Sequence, residues 1–251
     1  MPSRVDLTEY FAPVIDQTPL RSCTAATAVA LLEYFQKKTS GREKQGSVLF
    51  LYKVARNLLN TDGDTGALLR TSMEGLRLFG VPPDNYWPYD TTNFDIEPPT
   101  FLYQLAANFR AVNYYRLDTP DIAGATLLSN VKQNLAAQLP SMFGLFLFPS
   151  LAQAAPGTIP YPLPNEQPLT SHALVAVGYD DSIEIVNTDP TTGQRFRSAG
   201  ALRIRNSWGV SWGDSGYGWL SYDYVTKGLA TDWWSLVTAE DVDLSQFSPA
   251  S

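Results

Sequence analysis

Thiol and imidazole are nearly absent from this chain: among 251 residues there is one cysteine, Cys23, and one histidine, His172. A single cysteine excludes an internal disulfide, which fits a reducing compartment such as the cytoplasm. One of each also excludes a Cys/His metal site within a monomer. Long apolar runs are missing as well. The longest, around Met142 to Phe148, is far too short to cross a bilayer, so no membrane partner is expected. Met1–Tyr10 carries Arg4, Asp6 and Glu9 with no apolar run, unlike a secretory signal peptide. Positive charge is scarce: 18 Lys and Arg face 25 Asp and Glu, for a net charge of -7. Without a basic cluster interleaved with aromatics, that balance argues against a nucleic-acid partner.

What is present is the composition of a globular protein, 44% hydrophobic, 17% charged and 12% aromatic, in a chain long enough for one large unit or two intimate lobes. The front half reads as helices. Ala28, Leu31, Leu32 and Phe35 recur at helical spacing within Thr24–Lys38, predicting a helix with one buried face. Further helices are expected after Ser47, with Val48, Leu51, Tyr52, Ala55 and Leu59 inward, and over Gly66–Phe79, Pro99–Asn108 and Pro120–Gln138. From Met142 the pattern turns to strands: Phe143–Phe148, Ala173–Tyr179, Ile183–Val186, Ala201–Arg205 and Tyr217–Tyr222. Ser150–Pro168, with its prolines, reads as a surface loop. The lone cysteine and the lone histidine therefore fall in different halves.

Three motifs stand in order. Gln17 lies six residues before Cys23. Ser171-His172-Ala173 leads an apolar run ending in Gly178-Tyr179. Asn206-Ser207-Trp208-Gly209 is followed by a second Trp-Gly at Trp212-Gly213. Taken alone, a cysteine at the start of an apolar helix is more often core than nucleophile, and a histidine before an apolar strand is usually structural. Together the three resemble the papain family of cysteine peptidases over about Val5–Ala239. The resemblance implies an α+β, two-lobed fold forming one unit over residues 1–251. A helical lobe would span about 11–113. A β-rich lobe would span about 114–251, joined by residues 1–10 as a crossing N-terminal strand, with a cleft between the lobes.

The chemistry implied has a physical logic. A helix N-terminus and a nearby imidazolium favour a thiolate, so Cys23 would be the nucleophile and His172 the base and later acid. By resemblance, Asn206 orients the imidazole, Trp208 covers that contact, and Gln17 donates to the oxyanion. Arg21, Thr65, Gly66, Leu68, Ser171 and Trp208 are the expected substrate-binding residues, with Gly66 offering backbone groups to an extended peptide. Leu69, Trp233 and Trp234 are candidates for an apolar subsite or for core. Asp62–Gly66 faintly resembles a calcium loop but lacks the later ligands, and a solvated turn is the expectation. Asp16 and Asp180 are expected to be structural. No metal or organic cofactor is expected, and the partner would be a peptide or protein substrate.

Departures from the family pattern are local. Thr24 stands where a tryptophan is usual, Leu20 where a disulfide cysteine is usual, and Arg21 where a glycine is usual. Asn206 follows His172 by 34 residues, a longer gap than in papain, assigned to a polar excursion over Thr188–Gly200. Only Met1–Ala12 precede Pro13, where relatives commonly carry a long inhibitory leader, so either a mature-like chain or another means of control is expected. Two other activities fit the same scaffold: a non-catalytic homologue that binds peptides, for which Thr24 speaks, and a transpeptidase or ligase with an amine acceptor.

Overall fold

In the computed structural model, which describes residues 1–239, the longest helix begins at the cysteine itself. A short strand β1 (Arg4–Asp6) precedes helix α1 (Cys23–Ser40). The periodicity predicts one buried face, but α1 is buried without interruption from Thr24 to Gln36. Ala25, Ala26, Ala28 and Ala30 are small enough for neighbouring elements to close around every side. The helix stops at Gly41, whose φ of 70° brings its N–H to the Lys37 carbonyl at 2.8 Å. Helix α2 (Val48–Leu58) starts where Ser47 Oγ accepts the Phe50 N–H at 3.1 Å.

Helix α3 (Leu69–Leu78) begins three residues later than its periodicity suggests. Gly66 has a φ of 78° and Leu68 is extended, so the apolar pattern continues through backbone that is not helical. Helix α4 (Thr100–Ala106) packs on α2 through a small separate cluster of Phe50, Val54, Leu102 and Ala106. Strand β2 (Ala111–Arg116) follows, which the sequence reading missed. Helix α5 (Gly124–Ala136) is shorter than the expected Pro120–Gln138, ending before Gln138 turns to a φ of 64°.

The remaining elements are strands β3 (Ser141–Leu147), β4 (Thr158–Ile159), β5 (Thr170–Thr188), β6 (Arg195–Arg205) and β7 (Tyr217–Ser221), the turn of helix α6 (Asp223–Thr226), and strand β8 (Ala230–Ala239). They form one sheet in the order β2-β8-β3-β5-β6-β7-β4, antiparallel except for β4 on β7, with β1 paired to β5. The chain is thus α+β, with α1 and α3 packed on strands β2, β8, β3 and β5, α2 packed on α1 and α3, and α4 on α2. Residues 240–251, the end of the expected β-rich lobe, lie outside the described residues.

Three expectations are corrected. The strands predicted separately over Ala173–Tyr179 and Ile183–Val186 are one strand, bent where the register shifts between Asp180 and Glu184. The excursion Thr188–Gly200 is mostly an extension of the β5–β6 hairpin, paired as far as Thr188 with Arg195. The loop Ser150–Pro168 contains β4, because Thr158 and Ile159 add parallel to Trp219 and Leu220. Gly178, from the apolar run after His172, has a packing role: a Cβ there would lie 2.3 Å from the Val5 carbonyl oxygen, so its absence lets β1 dock. Trp233 and Trp234 are core rather than subsite residues. Trp233 stacks on Phe143 at 4.0 Å and gives its indole N–H to the Ala230 carbonyl, so burial leaves no polar atom unsatisfied.

Candidate active site

Cys23 is the first residue of α1, and the hydroxyl before it does not cap that helix. Tyr89 Oη donates to the Gln17 carbonyl at 2.8 Å and therefore accepts from Ser22 Oγ at 2.6 Å. Spending Ser22 this way leaves the first N–H groups of α1 available at the thiol. Backbone N–H groups of Ala173, Thr24 and Cys23 itself favour the thiolate, and Ala173 is the residue after His172. Burial is the stronger influence and pushes the Cys23 thiol up, helped by the Asp64 carboxylate.

His172 lies on β5 opposite Leu145 of β3. Its Nε2 is 2.8 Å from Asn206 Oδ1, which also accepts the Ser207 N–H at 2.8 Å. That second bond orients the amide with oxygen toward the ring. An amide oxygen only accepts, so Nε2 carries the hydrogen and Nδ1 is left as the basic nitrogen. Trp208 stacks on the imidazole at 4.7 Å with an interplanar angle of 21°, and Trp212 meets Trp208 edge-on at 5.7 Å. Enclosure by these rings pushes His172 down to about 4, opposed by its bond to Asn206. Asn206 Nδ2 is buried without a hydrogen-bond partner among the described residues, so the amide is held through its oxygen alone.

Gln17 is buried on the loop before α1, which the sheet side grips: Gln17 N–H meets the Ser207 carbonyl at 2.8 Å, and Gly209 N–H meets the Ile15 carbonyl at 2.9 Å. Its side chain is held at both ends. Ser207 Oγ donates to Oε1, and Nε2 donates one hydrogen to the Leu20 carbonyl at 2.8 Å. One N–H remains for a reacting group. Neither Ser207 nor Tyr89 was assigned a role from the sequence. Ser207 sits inside the Asn-Ser-Trp-Gly motif, where a polar neighbour of Asn206 was a usable signal; Tyr89 had none.

Gln17, Cys23 and His172 line one cleft of about 620 Å³, together with Arg21, Thr65, Gly66, Leu68, Ser171 and Trp208. All the expected substrate-binding residues therefore meet there. Gly66 differs from expectation in one respect: its N–H already bonds Tyr52 Oη at 3.0 Å and its carbonyl accepts from Thr65 Oγ1 at 3.3 Å, so only the carbonyl's second lone pair is open to a ligand. The stretch Asp62–Gly66 keeps Asp62 and Thr65 exposed, as in a solvated turn, and is anchored as a wall of the cleft. Asp64 accepts the Arg21 N–H at 2.9 Å, and the fully buried Arg56 donates to the Gly63 carbonyl and to Asp95, both at 2.6 Å. Burying a guanidinium requires such partners, and they are what hold the loop.

The reading also missed lining residues Gly144, Leu147, Thr61 and Asp232. A glycine inside the apolar strand Phe143–Leu145 marks a close approach, and a Cβ at Gly144 would meet Leu69 Cδ1 at 3.4 Å. Asp232, with a φ of 58°, gives no such sign. As expected, Asp16 and Asp180 serve local structure, accepting from Thr18 and Ser182 respectively. Among the described residues no group of three or more His, Cys, Asp or Glu is placed to hold a metal ion, and no helix is long and apolar enough to cross a membrane.

Comparison with known proteins gives a consistent result. The family described as papain family cysteine protease matches residues 1–235. A peptidase C1-like protein of Acanthamoeba polyphaga mimivirus is 31% identical over 242 residues, covering 94% of this chain and 73% of its own length. The crystal structure of xylellain, a cysteine protease from Xylella fastidiosa, superposes with a TM-score of 0.78 at 29% identity, covering 97% of this chain and 87% of that one. The bromelain protease from Ananas comosus shares the fold with a TM-score of 0.67 at 20% identity, covering 94% of this chain and 99% of that one.

Proposed function

The chain belongs to the papain family of cysteine proteases, and from that premise we propose that it hydrolyses peptide bonds through a thioester on Cys23. The observation that carries this reading is the 2.8 Å bond from His172 Nε2 to Asn206 Oδ1, under Trp208 and in the same cleft as the only thiol. That bond leaves Nδ1 to take the thiol proton.

Burial penalises a charge on either group alone, since it raises the Cys23 thiol and lowers His172 to about 4. Moving one proton from Sγ to Nδ1 creates both charges together, so their attraction offsets part of each penalty. The thiolate attacks the substrate carbonyl carbon. The oxyanion takes the Cys23 N–H and the remaining hydrogen of Gln17 Nε2, a donor worth about 3 kcal/mol in the transition state. The imidazolium then protonates the departing amine, leaving the acyl group on sulfur. Water gives its proton to Nδ1 as it attacks the thioester, and the acid product leaves with the thiol restored.

Arg21 is exposed near Cys23, with no ion pair to its guanidinium among the described residues. In the position where the family usually has glycine, it narrows and charges the subsite next to the scissile bond.

The test is covalent. An epoxide inhibitor of papain-like enzymes should add one equivalent to the protein, mapped by mass spectrometry to Cys23, and Cys23→Ala should abolish both labelling and peptide hydrolysis. Retained hydrolysis in Cys23→Ala would overturn the mechanism.

A further inference from the structure

The extended β5–β6 hairpin builds a second cavity that peptide hydrolysis does not use. It encloses about 520 Å³ between the inner face of the hairpin, the loop Tyr161–Glu166 and α6, and shares no lining residue with the cleft. That is the size of a small-molecule site. Its floor is apolar, with Phe148 and Ile185 buried, and Tyr161 and Phe196 flank it.

Its polar groups are set by one network. Asn187 is 7% exposed, and its Nδ2 gives both hydrogens away, to Ser150 Oγ at 2.8 Å and to the Tyr161 carbonyl at 2.9 Å. Ser150 donates its own hydrogen to Glu166 Oε2. A carbonyl only accepts, so this chain fixes the amide orientation and leaves Oδ1 of the lining residue Asn187 as an acceptor that no donor reaches among the described residues. Glu166 Oε2 also accepts the Leu163 N–H at 2.9 Å, yet both its donors are neutral and no cation pairs with it among the described residues. The other lining charges are matched: Lys227 with Asp223 at 2.9 Å, and Arg197 with Glu184. The Lys227 ammonium lies 4.3 Å from the centre of the Tyr161 ring, so this aromatic rim already carries a cation.

We propose that this cavity binds a small primary amine with an apolar ring. Its ammonium satisfies Asn187 Oδ1 and the unmatched Glu166 carboxylate, while the ring lies over Ile185 between Tyr161 and Phe196. Three ammonium hydrogens suit two acceptors held apart, and a carboxylate facing an apolar wall selects positive over negative charge.

Calorimetric titration of the whole chain with tryptamine, and separately with indole-3-acetate, tests this with one ring and two charges. Tryptamine should bind, and indole-3-acetate should bind at least about tenfold more weakly. Glu166→Gln, which keeps an acceptor for Leu163 N–H, should weaken tryptamine about tenfold. Phe196→Trp, which fills the cavity from its half-buried rim, should do the same; thermal melting checks that each variant folds. Blocking Cys23 covalently should leave binding unchanged. The proposal fails if tryptamine shows no binding, if the two compounds bind alike, if neither variant weakens tryptamine, or if thiol blocking abolishes binding. Because the readout is binding, its failure leaves the peptidase reading untouched.

Discussion

Glu33 and His172 are both buried, and burial moves them in opposite directions. Glu33, in the middle of α1, is pushed up from 4.5 to about 7, with Asp84 and Glu43 adding to the effect of burial and Arg205 and the Gly46 N–H opposing it. His172 is pushed down from 6.5 to about 4. At roughly 1.4 kcal/mol per pH unit, each displacement is worth about 3 kcal/mol of stability. The Glu33 contribution is complete below pH 4.5 and is lost as pH rises through 7. The His172 contribution is complete above pH 6.5 and is lost as pH falls through 4. Between them the two slopes cancel.

Glu33→Gln removes one side of this balance while keeping an oxygen for the Gly46 N–H, which Glu33 Oε1 accepts at 2.9 Å. Urea denaturation of wild type and variant across this range, compared as a difference, removes every titration the two share. Relative to wild type, the variant should gain about 3 kcal/mol as pH rises from 4.5 to 7 and stay level above it. Its own stability should fall steeply in mild acid, where His172 acts alone. A difference curve that is flat from 4.5 to 7 would refute the argument, because it would mean that Glu33 is already ionised within the fold.

Gln17→Ala should lower kcat/KM about a hundredfold, since one of two oxyanion donors is lost, with peptide binding little changed in a competition assay. Asn206→Ala should cost less than His172→Ala in the same assay, because stacking on Trp208 at 4.7 Å still holds the ring. Profiling a peptide library with wild type and Arg21→Gly should show a changed preference at the residue next to the scissile bond; identical profiles would remove Arg21 from the specificity argument. Trp233→Ala should destabilise by about 3–5 kcal/mol in urea denaturation, because it deletes a fully buried indole stacked on Phe143.

Local signals were enough for α1, α2, most of the apolar strands and part of the cleft lining, though not for Thr61, Gly144, Leu147 or Asp232. A period of three to four residues, a cysteine at a helix start and three ordered motifs are properties of short segments. What depended on partners distant in the chain was hidden. Strands β2 and β8 exist because Ala111–Arg116 pairs with Trp234–Ala239, and Trp233 and Trp234 became core once Phe143 and Tyr114 lay against them. Leu68 continues an apolar pattern, but Gly66 turns the backbone out of helix, and only the contacts of Asp64 and Arg56 make that turn a wall.

The sequence by itself carried the family resemblance and named one candidate nucleophile and one candidate base, because the chain has a single thiol and a single imidazole. Tertiary structure alone decided the geometry of the donors. It placed Ser207 on Gln17 and Tyr89 between Ser22 and Gln17, and it left Asn187 Oδ1 without a donor among the described residues. Hydrogen bonds are directional and saturable, so which group is spent and which is left for a ligand depends on residues far apart in the chain and close in space.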